Sequence, residues 1–123
     1  MEVNEVEHAP NTKFLKEISE KLNKTGIPIY YKLPGPEIIE PFYVIGNHFD
    51  DDTKSAKFGA AIVNTDLQID LFYPVNSRAK VEDVIYQTKS ALRTKKISTN
   101  IRPDNTIGRE VYHVVFKISD YIF

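Results

Sequence analysis

The chain has 123 residues, 41% of them hydrophobic and 27% charged, with a formal net charge of −1. That length fits one domain able to bury roughly two-thirds of the surface its unfolded chain would expose. A charge so close to neutral argues against a broad nucleic-acid-binding face, and the absence of cysteine excludes a disulfide framework and thiolate metal sites.

Residues 1–10 are polar and acidic and end in Pro10, which predicts a flexible arm ahead of a single domain over 11–123. The first eight residues lack an apolar run, so no signal peptide is expected there. No segment reaches the ~20 apolar residues of a membrane span.

Asn11 reads as an N-cap, and Phe14, Leu15, Ile18 and Leu22 recur at helical spacing, predicting a helix over 12–23. Gly26 suits the left-handed position that ends a helix, and Pro28 follows it. Residues 29–33 read as a short strand between Pro28 and Pro34, which suggests a sheet edge or a strand cut short. Pro34-Gly35-Pro36 is a turn or a stiff link.

A second strand is expected over 42–49. The charged run Asp50-Asp51-Asp52-Thr53-Lys54-Ser55 then reads as a loop, mobile when the subunit is alone. A third, long strand covers about 59–73. Ala61, Val63, Thr65, Leu67, Ile69, Leu71 and Tyr73 face one way, and Asn64, Asp66, Gln68 and Asp70 the other. One dry face and one wet face is the antiparallel signature.

Asn76 or Ser77 caps a second helix over 78–93, whose inward stripe is Val81, Val84, Ile85, Thr88 and Leu92. A strand over 97–102, a turn-rich link at 104–108 and a last strand over 109–123 complete the order α-β-β-β-α-β-β. In the last strand Tyr112, Val114, Phe116, Ile118 and Ile122 share one face, and Val111, His113, Val115, Lys117 and Ser119 the other.

Two amphipathic helices and several strands with one apolar face predict an α+β fold. Both helices pack on one face of a four- to five-stranded, mostly antiparallel sheet. The far face is polar except for Ile62, Phe72, Val111 and Val115, which read either as a partner surface or as scattered exposed hydrophobes. The long strands project beyond a two-layer core, and a projecting edge invites pairing with another subunit.

Catalytic and ligand signatures are weak by comparison. Asp50, Asp51 and Asp52 are consecutive and so diverge, without the spacing and glycine of a cation loop. They read as a solvated loop or, with Lys54, as an electrostatic contact with a partner. His8, His48 and His113 lack metal-ligand spacing. No serine sits in a nucleophile elbow, and no glycine run forms a phosphate loop. Tyr30, Tyr31, Phe42 and Tyr43 read as core or interface packing rather than a base-stacking platform, because no interleaved arginine or lysine accompanies them. Arg93, Lys95 and Lys96 read as a helix C-terminal turn favoured by the dipole, with a local phosphate contact as the alternative. A hydrolase built on Asp66, Asp70 and His113 would lack a positioned nucleophile. No enzyme activity, cofactor or metal is expected.

The plan resembles the siphophage tail-completion proteins, that is, tail terminators or tail-to-head joining proteins. The resemblance rests on the helix Phe14-Leu15-Lys16-Glu17-Ile18, the segment Gly26-Ile27-Pro28-Ile29-Tyr30-Tyr31 and the strand Asp66-Leu67-Gln68-Ile69-Asp70-Leu71-Phe72-Tyr73. The helix after Asn76-Ser77 and the strand Arg109-Glu110-Val111-Tyr112-His113 complete it. It implies a structural virion protein, assembled in the host bacterial cytoplasm, that closes into a hexameric ring. The ring caps the tail tube, meets tail tube protein and head connector protein, and lets DNA pass its lumen without specific binding. An acidic loop lining that lumen would repel DNA. A ring needs a heterologous interface, for which Asp50, Asp51, Asp52, Lys54, Ile62, Phe72, Val111 and Val115 are the candidate residues. The alternative is a small protein-binding adaptor acting as a monomer or dimer.

Overall fold

The computed structural model describes residues 10–51, 63–93 and 95–122, with backbone alone at 10, 11, 47–51, 63, 64, 121 and 122. Helix α1 (Pro10–Leu22) runs into a 3-10 turn (Asn23–Thr25). It starts two residues earlier than expected, because proline is tolerated in a first turn where the missing N–H has no partner to lose. Asn11 therefore lies inside the helix rather than at its cap. Gly26 closes the turn at φ 76°, its N–H donating to the Asn23 carbonyl at 3.1 Å. A side chain there would be held in the left-handed region.

Strand β1 (Ile29–Tyr30) is only two residues long and pairs in parallel with β2 (Phe42–Asp51), Ile29 opposite Tyr43. The expected strand over 29–33 stops at Tyr30, and the chain turns away through exposed Tyr31 and Leu33. Strand β2 runs on through two residues expected in a loop. Asp50 lies opposite Thr65 and Asp51 opposite Asn64. Ladder pairing here overrides the weak strand preference of aspartate. Asp52, Lys54 and Ile62 lie outside the described residues, as does the rest of the loop expected to be mobile.

Strand β3 (Val63–Pro74), helix α2 (Arg78–Ala91), strand β4 (Lys96–Asp104) and strand β5 (Val111–Ile122) complete the chain, and the sheet order is β1-β2-β3-β5-β4. All pairings except β1 with β2 are antiparallel. The Ser77 hydroxyl caps α2, accepting from the Lys80 N–H at 3.2 Å. The fold is thus α+β, a mixed and mostly antiparallel sheet with both helices on one face.

The main core lies between those layers. Phe14, Ile18 and Leu22 of α1 and Val81, Ile85 and Leu92 from the α2 region meet Tyr43, Ile45, Leu67, Ile69, Leu71, Val114, Phe116 and Ile118 of the sheet. Each such side chain, fully buried, contributes roughly 1.5–3 kcal/mol. Tyr43 carries its hydroxyl into this core and shares a 2.7 Å hydrogen bond with the Thr88 hydroxyl, which in turn donates to the Val84 carbonyl at 2.7 Å. Burial pushes the Tyr43 phenol above its ordinary pKa, so it stays neutral.

Candidate functional site

The far face of the sheet is where a polar surface was expected, and register fixes its layout. Residues directly opposite one another across a ladder share a face. One row therefore runs Arg102, His113, Phe72, Phe42, and the next Asn100, Val115, Asp70, Val44, Tyr30. Further along lie Ser98, Lys117 and Gln68, then Lys96, Ser119 and Asp66.

One end of this face is dry. Phe42, Val44, Phe72 and Val111 form a second small core, packed against Tyr30, Ile38 and Ile107. Phe72 is 6% exposed and Val111 1%. Neither offers open surface, because residues 31–41 and the turn before β5 fold over them. Val115 is half-buried in the row of Asn100 and Asp70. A face that reads as wet by alternation is here partly covered by the chain's own loops.

Arg109 ties down that cover. Its guanidinium donates to the Glu40 carboxylate at 2.7 Å, to the Pro36 carbonyl at 3.1 Å and to the Ile38 carbonyl at 2.7 Å. The Glu40 side chain is 5% exposed, so the pair holds a carboxylate that water barely reaches. A planar fork with several donors suits such a site better than an ammonium.

Beside the cover, His113 spans two strands. Its Nε2 donates to Asp70 of β3 at 2.8 Å and its Nδ1 to Asp104 of β4 at 2.9 Å. The ring stacks on Phe72, with centroids 4.5 Å apart. Two carboxylates, one on each nitrogen, require the imidazolium form. The Asp70 hydrogen bond does most to raise the His113 pKa, and Asp104 adds to it against the opposing effect of burial. Asp104 is held down to about 2 by hydrogen bonds from Thr106, with His113 adding to them. Asp70 also accepts from Gln68 at 3.1 Å.

Chemically, this is a clasp. A general base needs a nitrogen free to take a proton, and both nitrogens of His113 are engaged. The Ser119 hydroxyl donates to Asp66 in its own row, three rows from His113, so it is not aimed at the imidazole. Asp70 and His113 thus meet as their register demands, while Asp66 stands apart with Ser119. Among the described residues, no cluster of three or more His, Asp or Glu is arranged to hold a metal ion.

Lys95 makes a third tie, on the helical side. It contacts Asp120 of β5 at 2.7 Å and Glu17 of α1 at 3.1 Å, with its ammonium 5.6 Å from the Phe14 ring centroid. Burial works against its charge, but Asp120 and Glu17 outweigh that and raise its pKa. The residue lies past the end of α2, yet it acts as a cross-link rather than as a helix-dipole partner.

The edges of the sheet differ sharply. On one side stands β1, two residues long. On the other stands β4, nine residues long, and among the described residues no strand pairs with its outer edge. Ile97 and Ile101 pack towards the core, while Ser98, Asn100 and Arg102 are exposed. The Thr99 hydroxyl is buried without a hydrogen-bond partner.

The ties through Arg109 and Lys95 were not legible in the sequence. Arg109 and Glu40 are 69 residues apart, and Lys95 and Glu17 are 78 apart. No local pattern marks such pairs. Alternation did place Asp70 and His113 on one face, and that was the available signal for the clasp. No family model and no curated protein matches the chain. Among the described residues no helix is long and apolar enough to cross a membrane.

Proposed function

We propose that this chain is a structural assembly subunit of the phage tail-terminator kind. It closes with copies of itself into a ring, a hexamer in the assembled tail, that caps the tail tube and meets the head connector. The observation that supports this best is the asymmetry of the sheet edges. A nine-residue outer strand lies opposite a two-residue one. An exposed ladder edge is a template for another chain, and unlike edges favour unlike patches meeting, which is the heterologous contact of a ring.

Pro103 shows which backbone groups point outward. Proline is tolerated in an edge strand where its missing N–H would face away from the sheet. Ile97, Thr99 and Ile101 share its parity, so by this rule their N–H groups also turn outward, ready for a partner. DNA passes the lumen of such a ring without specific binding, and the assembly forms in the bacterial cytoplasm and ends in the virion. The engaged nitrogens of His113 agree with a non-enzymatic role.

The runner-up is an adaptor in which β4 pairs with a second β4 across a two-fold axis, or with a partner's strand. Solution mass across a wide concentration range separates the two, with Thr99→Pro as the edge-blocking control. The ring reading expects species larger than a dimer for the native chain and a monomer for Thr99→Pro with unchanged far-ultraviolet dichroism. A native chain that stops at a dimer, or stays monomeric throughout, overturns it.

A further inference from the structure

His113 serves two carboxylates that the fold holds with unequal firmness. Asp70 lies in β3, which is paired on both sides, by β2 and by β5. Asp104 is the last residue of β4, which among the described residues pairs with β5 alone. Beyond Asp104 the chain turns through residues 105–110 before β5 begins. That turn is part of the cover. Ile107 packs on the second small core. Thr106, Ile107 and Arg109 line, with Leu33, Ile38 and Phe42, a cleft of about 190 Å³.

We propose that His113 is a proton-operated clasp on this turn. Protonated, it fastens Asp104 to Asp70 across β5 and holds Ile107 down. Neutral, it keeps Asp70 and lets go of Asp104, and the turn lifts to open the cleft onto Phe42. The reason is a count of protons. The imidazolium has one N–H for each carboxylate, at 2.9 Å for Asp104 and 2.8 Å for Asp70. A neutral ring has one N–H and one lone pair, so one carboxylate then faces a lone pair. Asp70 cannot retreat without disrupting the interior of the sheet. Asp104 can, and it keeps a partner of its own, the Thr106 N–H at 2.8 Å. Arg109 holds its charge and its grip on Glu40 throughout, so the movement is confined between Asp104 and Arg109. Gly108, at φ 91° with open space where a side chain would lie, gives that short stretch a residue able to pivot.

The charged groups around the ring set the direction of the response. Asp70 from β3 favours the imidazolium most, burial opposes it, and Asp104 from β4 adds to Asp70. Arg102 of β4 lies opposite His113 in register and is exposed, so its opposing charge acts through solvent and is screened. On β5 the nearest charged group of the same face is Lys117, two rows on. From β2 come Phe42 and Val44, and from β1 Tyr30, edge-on to Phe42. The cover brings Glu40, already held by Arg109. The clasp is shut at low pH and opens as pH rises through the folded pKa of His113, which lies above 6.5. It operates within one copy, with or without a ring.

Nuclear magnetic resonance on the native chain tests this between about pH 5 and 9. The His113 ring nitrogens report protonation and tautomer. The Ile107 methyls report the turn, through their nuclear Overhauser contacts with the aromatic rings of the second core. Those contacts are expected to fall about twofold or more, with the same midpoint as the ring. The neutral ring is expected to carry its proton on Nε2, facing Asp70. Resonances of Ile69 and Phe116 in the main core are expected to stay still. His113→Gln is expected to leave the Ile107 contacts independent of pH, and Asp104→Asn to move the opening to lower pH. Ile107 contacts that persist while the ring loses its proton overturn the proposal, as does a neutral ring protonated on Nδ1. A ring that does not titrate in this range overturns it too. Main-core resonances that move with the same midpoint also overturn it, because the change is then general rather than confined to the turn.

Discussion

Arg109, just before β5, grips Glu40, just before β2, through a 2.7 Å hydrogen bond, and the same guanidinium holds the carbonyls of Pro36 and Ile38. One side chain thereby fastens residues 31–41 over Phe42, Phe72 and Val111. Arg109→Ala leaves the buried Glu40 carboxylate without its cation. Removing one partner of such a pair leaves the other charge uncompensated, and because the Arg109 side chain is 30% exposed, solvent offsets part of that loss; the variant is expected to unfold at a lower urea concentration than the native chain. Urea unfolding measures it. Arg109→Lys keeps the charge but not the fork, so it is expected to fall between the alanine variant and the native chain. Equal stability of all three would show that the cover holds without this grip.

His113 and Asp104 make stability depend on pH in two windows of opposite sign, the lower one set mainly by the Thr106 hydrogen bonds to Asp104. Its folded pKa lies above 6.5, so its contribution is complete below that value and is lost as pH rises through the folded pKa. Asp104 has its folded pKa lowered from 3.8 to about 2, so its contribution is present above 3.8 and is lost as pH falls towards 2. The clasp is therefore expected to be strongest between about pH 4 and 6.5. His113→Gln is expected to flatten the upper window and to cost about 1–3 kcal/mol at pH 6, the usual range for hydrogen bonds to charged groups. Equilibrium unfolding at several pH values checks both. An unchanged pH profile in the variant would remove His113 as the titrating group.

Lys95 links α1 to β5 through Glu17 and Asp120. Its side chain is 10% exposed, while those of Glu17 and Asp120 are 41% and 30%. Solvent screening on the carboxylate side limits the worth of the link, so Lys95→Met is expected to cost about 1–2 kcal/mol. Amide hydrogen exchange is the sharper measurement, because the loss should concentrate in α1, where exchange is expected to speed up. A uniform change across the sheet would contradict the assignment.

Thr88→Val removes the hydroxyl that meets Tyr43 in the core at 2.7 Å. The shape is kept and two hydrogen bonds go, the one with Tyr43 and the one to the Val84 carbonyl, so the expected cost is about 1–2 kcal/mol. Tyr43→Phe is expected to cost about 1 kcal/mol, and the double variant less than the sum of the two, since both remove the bond between the two hydroxyls. A strictly additive double mutant would show that the hydroxyls act separately.

The elements of this fold are written in periodicity. Leu67, Ile69 and Leu71 alternate with Asp66, Gln68 and Asp70, and Phe14, Ile18 and Leu22 recur at helical spacing. Those patterns reflect which side of each element is dry, so they survive in any one stretch of sequence. The cover over Phe72 and Val111 is different in kind. It depends on where residues 31–41 come to rest, and that depends on Arg109, far along the chain. Asp50 and Asp51 illustrate a second limit. Local preference assigns them to a loop, and the ladder with Thr65 and Asn64 holds them in a strand. Of the expected partner-contact residues, Phe72 and Val111 are interior, Val115 is half-buried, and Asp50 and Asp51 sit at the end of β2.

Electron-microscopy class averages of the purified chain at high concentration test the central claim most directly, because they show symmetry rather than mass alone. The account predicts closed rings with one rotation axis, lost in Thr99→Pro. Isolated subunits, or two-fold pairs joined through β4 with no ring among them, would contradict it.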